Sequence, residues 1–313
     1  MYNPEAQEAA VEVLRRRIER QIMGVTGMAL GDIDYEHPPG DPGLFGPQSV
    51  CWRVHSDFTS MLCGGISSLM LQMLHPLALA GVWDHSNFRD DMLGRLRRTS
   101  QFIAATTFAS TADAERLIDR VRRIHDEVAG TTPDGQPYTA NDPDLLTWVH
   151  VAEVSRFLAA HLRYRNPDLS VADQDRYYAE VARIAEALGA RDVPRTRGDT
   201  DAYLEAMRPQ LCFDARTAEV FRLLIGAPAP HPLAGPLVAL TMRAGVDLLP
   251  FWAAEMAHRD MPRWQRHTVR AGVHRLVPIL RWSMRNGASQ RARRRVAGTT
   301  TTAAGSPTAH DRT

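Results

Sequence analysis

The sequence predicts an all-α protein built as a single large helical domain. Apolar residues recur with a helical period along most of the 313 residues, and the alternation typical of strands is scarce. Ala, Leu, Arg and Glu dominate the periodic segments, and all four favour helices. Hydrophobic residues make up 44% of the chain and charged residues 23%, a balance typical of globular proteins with a large core.

Glycine- and proline-rich breaks separate the helical segments. The first segment is a charged amphipathic helix without the apolar centre of a secretory signal. A rigid loop follows at 37–43, a turn lies at 132–135, and Asn141-Asp142-Pro143 is typical of a helix start. We predict helices over 4–23, 57–81, 90–108, 112–129, 142–164, 171–188, 199–207, 214–225, 233–257 and 262–285.

The chain divides into three parts by composition. We predict an N-terminal helix and loop at 1–44, a helical domain at 45–285 and a tail at 286–313. The tail is basic and of low complexity, which predicts disorder. The most apolar stretch, 232–256, contains Arg243 and Asp247 and therefore predicts a buried core helix, not a membrane span. Peripheral membrane contact and the oligomeric state stay open.

Composition also argues against several functional classes. A formal net charge of +1 gives no basic field for nucleic acid. The cysteines Cys51, Cys63 and Cys212 form no CxxC pair, so we expect buried free thiols and a cytoplasmic location. The common nucleotide-binding, zinc-protease and hydrolase motifs are missing from the sequence.

The segment 112–129 carries one histidine on its apolar face. Ala114, Ile118, Val121 and Val128 are spaced as one side of an amphipathic helix, and His125 occupies the remaining place in that series. The spacing therefore predicts that His125 points inward. An inward histidine is either a hydrogen-bonded core residue or a ligand of haem iron, and spacing alone does not separate the two.

The segment 94–108 places polar side chains on the same stripe as an aromatic ring. Arg95, Thr99, Phe102 and Thr106 share a helix face, because they lie at i, i+4, i+7 and i+11. Burying an arginine without an anion costs free energy. The stripe therefore indicates either a solvated helix start or a polar site that meets a propionate, an oxygen ligand or a polar substrate.

Six segments of the chain resemble, in order, the MpaB-type oxygenase family, which is related to the latex-clearing proteins. The resemblance covers about residues 45–260, and the segments that carry it are 71–76, 84–88, 94–99, 121–130, 138–143 and 146–150. It implies a globin-related fold that holds non-covalent haem b and uses dioxygen as co-substrate.

The resemblance also implies roles for single residues. His125 corresponds to the proximal iron ligand, with Val121 and Val128 beside the cofactor on the same helix. Cofactor contacts on the distal side correspond to Arg95, Arg98 and Thr99. Arg95 and Thr99 are then the expected catalytic residues, because charge-assisted hydrogen bonds stabilise negative charge on oxygen.

Two features depart from the latex-clearing proteins. Their iron-binding lysine is replaced by Arg98, which stays protonated and is a poor metal ligand. Their catalytic carboxylate has no clear match, which argues against rubber cleavage. We therefore expect a haem-dependent oxygenase that acts on a small apolar substrate in a pocket between 57–81 and 90–108. The alternative is a haem-binding carrier, or a gas or redox sensor without turnover.

Further histidines leave alternatives open. His75 is either a core residue that stabilises a kink or part of the haem pocket, and His150 is either structural or a pocket residue. Arg53 and His55 precede a helix and are weaker candidates for contact with haem propionates.

Overall fold

The computed structural model describes residues 4–24, 30–229 and 234–298. Fourteen α-helices and one two-stranded antiparallel hairpin make up this part of the chain, which confirms the all-α class. The helices are α1 Pro4–Met23, α2 Val50–His55, α3 Phe58–Gln72, α4 Pro76–His85, α5 Met92–Phe108, α6 Thr111–Asp126, α7 Pro143–Tyr164, α8 Val171–Leu188, α9 Arg197–Met207, α10 Ala215–Ile225, α11 Gly235–Asp247, α12 Phe251–Met256, α13 Arg263–Ser283 and α14 Ala288–Ala297.

The centre of the fold is the antiparallel contact between α3 and α7. Met70, Leu71 and Trp148 are fully buried there, and Trp148 Nε1 donates a 3.2 Å hydrogen bond to the Gln72 carbonyl. α11 packs on the other side of α3. A Cβ atom at Gly245 would lie 2.4 Å from Ile66, so only glycine permits this close approach.

The helix predicted over 57–81 is wrong as one element. α3 ends at Gln72 and α4 begins at Pro76, with an angle of 102° between them. Pro76 has no N–H to donate and clashes with a preceding helical turn, so it favours the first position of a new helix. The His75 ring caps that helix, because its Nδ1 accepts a 3.2 Å hydrogen bond from Leu77 N.

The helix predicted over 233–257 is also two elements, α11 and α12. Pro250 lies between them and precedes the first residue of α12, again because proline cannot continue a helix. Residues 230–232, part of the proline-rich sequence 227–232, lie outside the described residues. Within the described ranges, no single helix is long and apolar enough to cross a membrane, although α3 and α4 together pass that test as a bent pair.

The tail predicted to be disordered from residue 286 is wrong where the structure describes it, up to residue 298. Residues 288–297 form α14, and the Arg295 side chain is only 1% exposed. Arginine-rich composition suggested a solvated segment, but Arg295 is bound by backbone carbonyls of the N-terminal loop and of Ala109. Residues 299–313 lie outside the described part of the chain.

Three short elements were missed by periodicity. α2 has six residues and is capped by Ser49, which accepts from Trp52 N. The strands Ala129–Thr131 (β1) and Pro137–Thr139 (β2) have three residues each, too few to show alternation, although the turn predicted between them is confirmed. Cys51 and Cys63 are buried free thiols as expected, whereas Cys212 is exposed because it lies in the loop before α10.

Candidate functional site

The stripe that carries His125 lies on α6. Ser110 begins the helix by accepting a 3.2 Å hydrogen bond from Asp113 N. Ala114 and Ile118 are buried, as the spacing predicts. Farther along the same stripe, burial is less complete, and the half-buried residues are Val121, His125 and Val128.

The His125 imidazole makes no hydrogen bond to any side chain or backbone group that the structure describes. Its Nδ1 atom is buried and has no partner. Burial lowers the pKa of His125 below its usual value, and the opposing effect of Asp126 is smaller. The ring is therefore neutral near pH 7 and has unused hydrogen-bonding or ligand capacity.

α6 ends at Asp126, three residues before the predicted end at 129, so Val128 lies just beyond the helix that carries His125. The Val128 side chain contacts the middle of α4, where a Cβ atom at Gly81 would lie 3.6 Å from it. Arg95, on α5, donates a 2.9 Å hydrogen bond to the Ser86 hydroxyl just after α4. α4 is therefore contacted at its middle by Val128, close in sequence to His125, while Arg95 binds Ser86 just after its end.

Arg95 has no carboxylate partner among the described residues, and Ser86 is its one side-chain contact. Burial, helped by the charge of Arg98, lowers the pKa of Arg95 to about 10. Arg98 differs, since its side chain is 55% exposed and lies 3.5 Å from Asp91. The solvated alternative thus describes Arg98, and the buried polar alternative describes Arg95.

These two environments fit haem b. An iron ligand must be a neutral imidazole with a free nitrogen, and the buried Nδ1 of His125 has no protein partner. A buried guanidinium without a carboxylate is stabilised by an anion such as a propionate. In the described part of the chain, His, Cys, Asp and Glu form no group of three that could hold a metal ion by themselves.

A large cavity opens beside α5. It has a volume of about 1070 Å³ and is lined by residues of α1, α2, α3, α5, α7, α11, α13 and α14. Thr99 lines it, whereas His125 and Arg95 are not among its lining residues. The Thr106 hydroxyl is already engaged, because it donates a 2.8 Å hydrogen bond to the Phe102 carbonyl. Arg95 and Thr99, which the sequence places on one face of the helix, therefore differ in surroundings: Thr99 lines the cavity and Arg95 does not.

α3 and α5 both contribute to the cavity wall, so a cavity is present where the sequence predicts a substrate pocket. Thr99, Arg53 and His55 of its wall were singled out from the sequence, whereas Glu153 and His161 of α7 were not. Burial raises the pKa of Glu153 to about 7 and lowers that of His161 to about 4. The missed signal is spacing, because Glu153, Phe157 and His161 lie at i, i+4 and i+8 on an otherwise apolar helix.

The structure also places the remaining histidines. His75 is 7% exposed and caps α4, which supports the structural alternative. His55 lines the cavity and bonds Thr107 at 2.8 Å through Nδ1 and Tyr177 at 2.9 Å through Nε2.

His150 is half-buried, and burial lowers its pKa to about 4. It is not among the residues that line the cavity. Arg53 lines the cavity and pairs with Asp173 at 2.7 Å, so its charge is already compensated.

Comparison with known proteins gives one match. The family model described as "ER-bound oxygenase mpaB/B'/Rubber oxygenase, catalytic domain" matches residues 52–282, well over half of the chain. That range runs from α2 to the end of α13 and includes the environments of His125, Arg95 and Glu153. Neither the curated proteins nor the solved structures gave a match.

Proposed function

Because the chain belongs to the family of the mpaB and rubber oxygenase catalytic domains, we propose that it is a haem b-dependent oxygenase that acts on a small, mostly apolar molecule. Membership supports the reaction class, an oxidoreductase that uses dioxygen. The cofactor and its ligand are our inference from the surroundings of two side chains.

The observation that carries the proposal is the buried, partnerless Nδ1 atom of His125. A buried polar atom without a hydrogen bond costs about 1–3 kcal/mol, so such atoms are rare unless something outside the protein satisfies the group. A haem ligand gives the His125 ring a bonding partner that the protein does not supply. The lowered pKa keeps the ring neutral, which is the form that binds iron.

In this proposal, Arg95 compensates a negative charge and Thr99 borders the substrate cavity. Haem b, when bound, supplies the oxygen chemistry. Arg95 holds a positive charge in a place where no carboxylate competes for it, so it binds a propionate or stabilises negative charge on oxygen. Thr99 is one helical turn away and lines the large cavity, so its hydroxyl faces the space where the apolar substrate is held.

The test is the absorption spectrum of the purified full-length protein in its ferric, ferrous and CO-bound forms. We expect a Soret band for the wild type and its loss, by tenfold or more in haem content, for His125→Ala. The comparison variant is His161→Ala, because both ring nitrogens of His161 are also buried without a partner, and this histidine lines the large cavity. Full haem content in His125→Ala would refute the ligand assignment.

The same experiment separates the alternatives. Loss of the Soret band in His161→Ala instead would place the haem in the large cavity. A Soret band without oxygen-dependent product from lipid, terpenoid or aromatic substrates would favour a carrier or sensor.

A further inference from the structure

The large cavity has a mostly apolar wall. Its lining includes Met61, Leu62, Ile66, Leu69, Phe157 and Leu237. Its volume of about 1070 Å³ is at the upper end of the range for small-molecule sites, about 300–1000 Å³. Apolar cavities of this kind bind mainly through burial of apolar surface, and a few polar groups fix the orientation of the ligand.

Two acidic side chains are among the lining residues, and only one is compensated. Asp57 pairs with Arg281 at 2.6 Å and accepts a 2.5 Å hydrogen bond from the Ser60 hydroxyl. Glu153 has no hydrogen bond or ion pair with any described residue, and the neighbouring Arg156 donates instead to the Leu248 carbonyl at 2.8 Å. The Glu153 carboxyl group is therefore available to a molecule in the cavity.

Among the described residues, the other charged or titratable groups near this space form no hydrogen bond or ion pair with Glu153. Tyr177 is close enough to interact with it electrostatically, and His161 lines the cavity two turns along α7. α3 packs most extensively against α7 and carries no charged residue. His55, on α2, is occupied by Thr107 and Tyr177. The remaining charged groups of the wall lie on α1, α2, α13 and α14 and after α7, and they are Arg17, Arg53, Arg165, Arg281 and Arg293.

Burial is the cause of the raised pKa of Glu153, which is about 7. At and below neutral pH, the carboxyl group is therefore largely protonated. A protonated carboxyl both donates and accepts a hydrogen bond, whereas a carboxylate only accepts.

We propose that this cavity binds an uncharged, largely apolar molecule with a carbonyl or hydroxyl oxygen, and that the Glu153 carboxyl group hydrogen-bonds to that oxygen. The inference rests on the proposed function only in taking this molecule to be the substrate of the oxygenase. The site itself is defined by the apolar wall and the uncompensated carboxyl group. A negatively charged group directly beside Glu153 is disfavoured, because no described cation pairs with this carboxyl group.

The test compares three ligands of equal chain length, 2-undecanone, 2-undecanol and n-undecane. Each displaces the uncharged fluorescent probe N-phenyl-1-naphthylamine from the full-length protein as purified, at pH 5.5 and pH 8.5. The ketone only accepts a hydrogen bond, the alcohol donates and accepts, and the alkane does neither. We expect the ketone to bind about tenfold more tightly than the alkane at pH 5.5, the ratio worth one hydrogen bond of about 1.4 kcal/mol.

At pH 8.5 the ketone should lose its advantage to within about twofold, because an ionised Glu153 cannot donate to it. The alcohol should keep its advantage, since it can donate to the carboxylate. Glu153→Gln should keep the ketone preference at both pH values, because its amide N–H donates throughout. Glu205→Gln is the control for an exposed glutamate and should behave as the wild type.

Several results would overturn the proposal. Equal affinity for ketone and alkane at pH 5.5, or an unchanged ketone preference in Glu153→Leu, excludes the hydrogen bond. Failure of the probe to bind excludes an open apolar cavity. Ligand binding of the expected pattern in a protein without a Soret band would refute the haem proposal and leave this one standing.

Discussion

At the scale of single residues, the proposals for His125 and Glu153 both start from polar groups that have no hydrogen-bond partner in the described part of the chain. Periodicity alone predicted the stripe of His125, but it could not distinguish a satisfied core histidine from a partnerless one. That difference depends on neighbours far away in sequence, and the structure settles it for Nδ1. The same limit applies to Arg95 and Arg98, because α5 leaves the first half-buried and the second exposed although they are only three residues apart.

Glu153 was missed for a related reason. A single glutamate on an apolar helix is equally consistent with an exposed position, and its burial follows from the packing of α3 on α7. A search for titratable residues at helical spacing within apolar segments would have found Glu153 together with His161.

The raised pKa of Glu153 predicts a pH-dependent penalty on folding. Its folded-state pKa is about 7 against 4.5 for the free group, so the folded state prefers the protonated form. The stability associated with protonation is fully present below pH 4.5 and is lost as the pH rises through 7. Glu153→Gln removes the penalty and should raise the free energy of unfolding at pH 8.5 by about 3 kcal/mol.

Urea denaturation of wild type and Glu153→Gln at pH 4.5 and pH 8.5 measures this effect. The two proteins should be nearly equal at pH 4.5, where both side chains are neutral. Glu205→Gln should leave stability within about 0.5 kcal/mol at both pH values, because exposed substitutions have small effects. Equal stability of wild type and Glu153→Gln at pH 8.5 would show that the carboxyl group ionises without cost.

At the scale of the elements, α1, α5, α7, α8, α9, α10 and α13 were predicted to within about two residues, and the breaks in longer apolar stretches were not. Pro76 and Pro250 each sit inside a stretch that is apolar on both sides, so hydrophobicity gave no sign of a boundary. Proline at the first turn of a helix and proline in a kinked helix look alike in sequence. At the break before α4, the His75 cap shows that a new helix begins at Pro76.

His75→Ala should destabilise the fold by about 1 kcal/mol, the usual cost of losing a side-chain cap at the start of a helix. The Nδ1 atom of His75 can accept from Leu77 N only while the ring is neutral, and burial lowers its pKa to about 4. A lowered folded-state pKa means that this stability is present above pH 6.5 and is lost as the pH falls through 4.

Thermal and urea unfolding at pH 7 of His75→Ala and His75→Asn separate capping from packing. Asparagine is a good capping residue and should recover most of the lost stability, whereas alanine should not. Equal losses in both variants would indicate that the ring acts through its contact with Trp148, whose centroid lies 6.0 Å away.

At the scale of the whole molecule, a segment near the start of the described chain contacts the helix at its end. The sequence predicted three consecutive parts, with a loop before the domain and a disordered tail after it. The structure instead joins the loop at 35–43, the end of α5 and α14 at one point. Gly43, with φ of 68°, allows the close approach, because a Cβ atom there would lie 2.5 Å from the Ala109 carbonyl oxygen.

Arg295 is the residue that joins these three segments. Its guanidinium donates to the carbonyls of Asp41 at 2.8 Å, Tyr35 at 3.1 Å and Ala109 at 3.0 Å. Arg295→Met keeps the length of the side chain but leaves three carbonyls without this donor, and each buried unpaired group costs about 1–3 kcal/mol. We expect a loss of at least 3 kcal/mol in the free energy of unfolding, against less than about 0.5 kcal/mol for the control Arg294→Met, whose side chain is 50% exposed.

Limited proteolysis shows which segments of the Arg295→Met variant become accessible. If Arg295 holds the chain ends together, the Arg295→Met variant should be cut first in the loop at 35–43 and in α14, while the pairing of α3 with α7 stays protected. A variant as stable and as resistant as the wild type would mean that α14 is held mainly by apolar contacts such as Ala292 with its neighbours Phe108 and Trp52, and that the arginine contributes little.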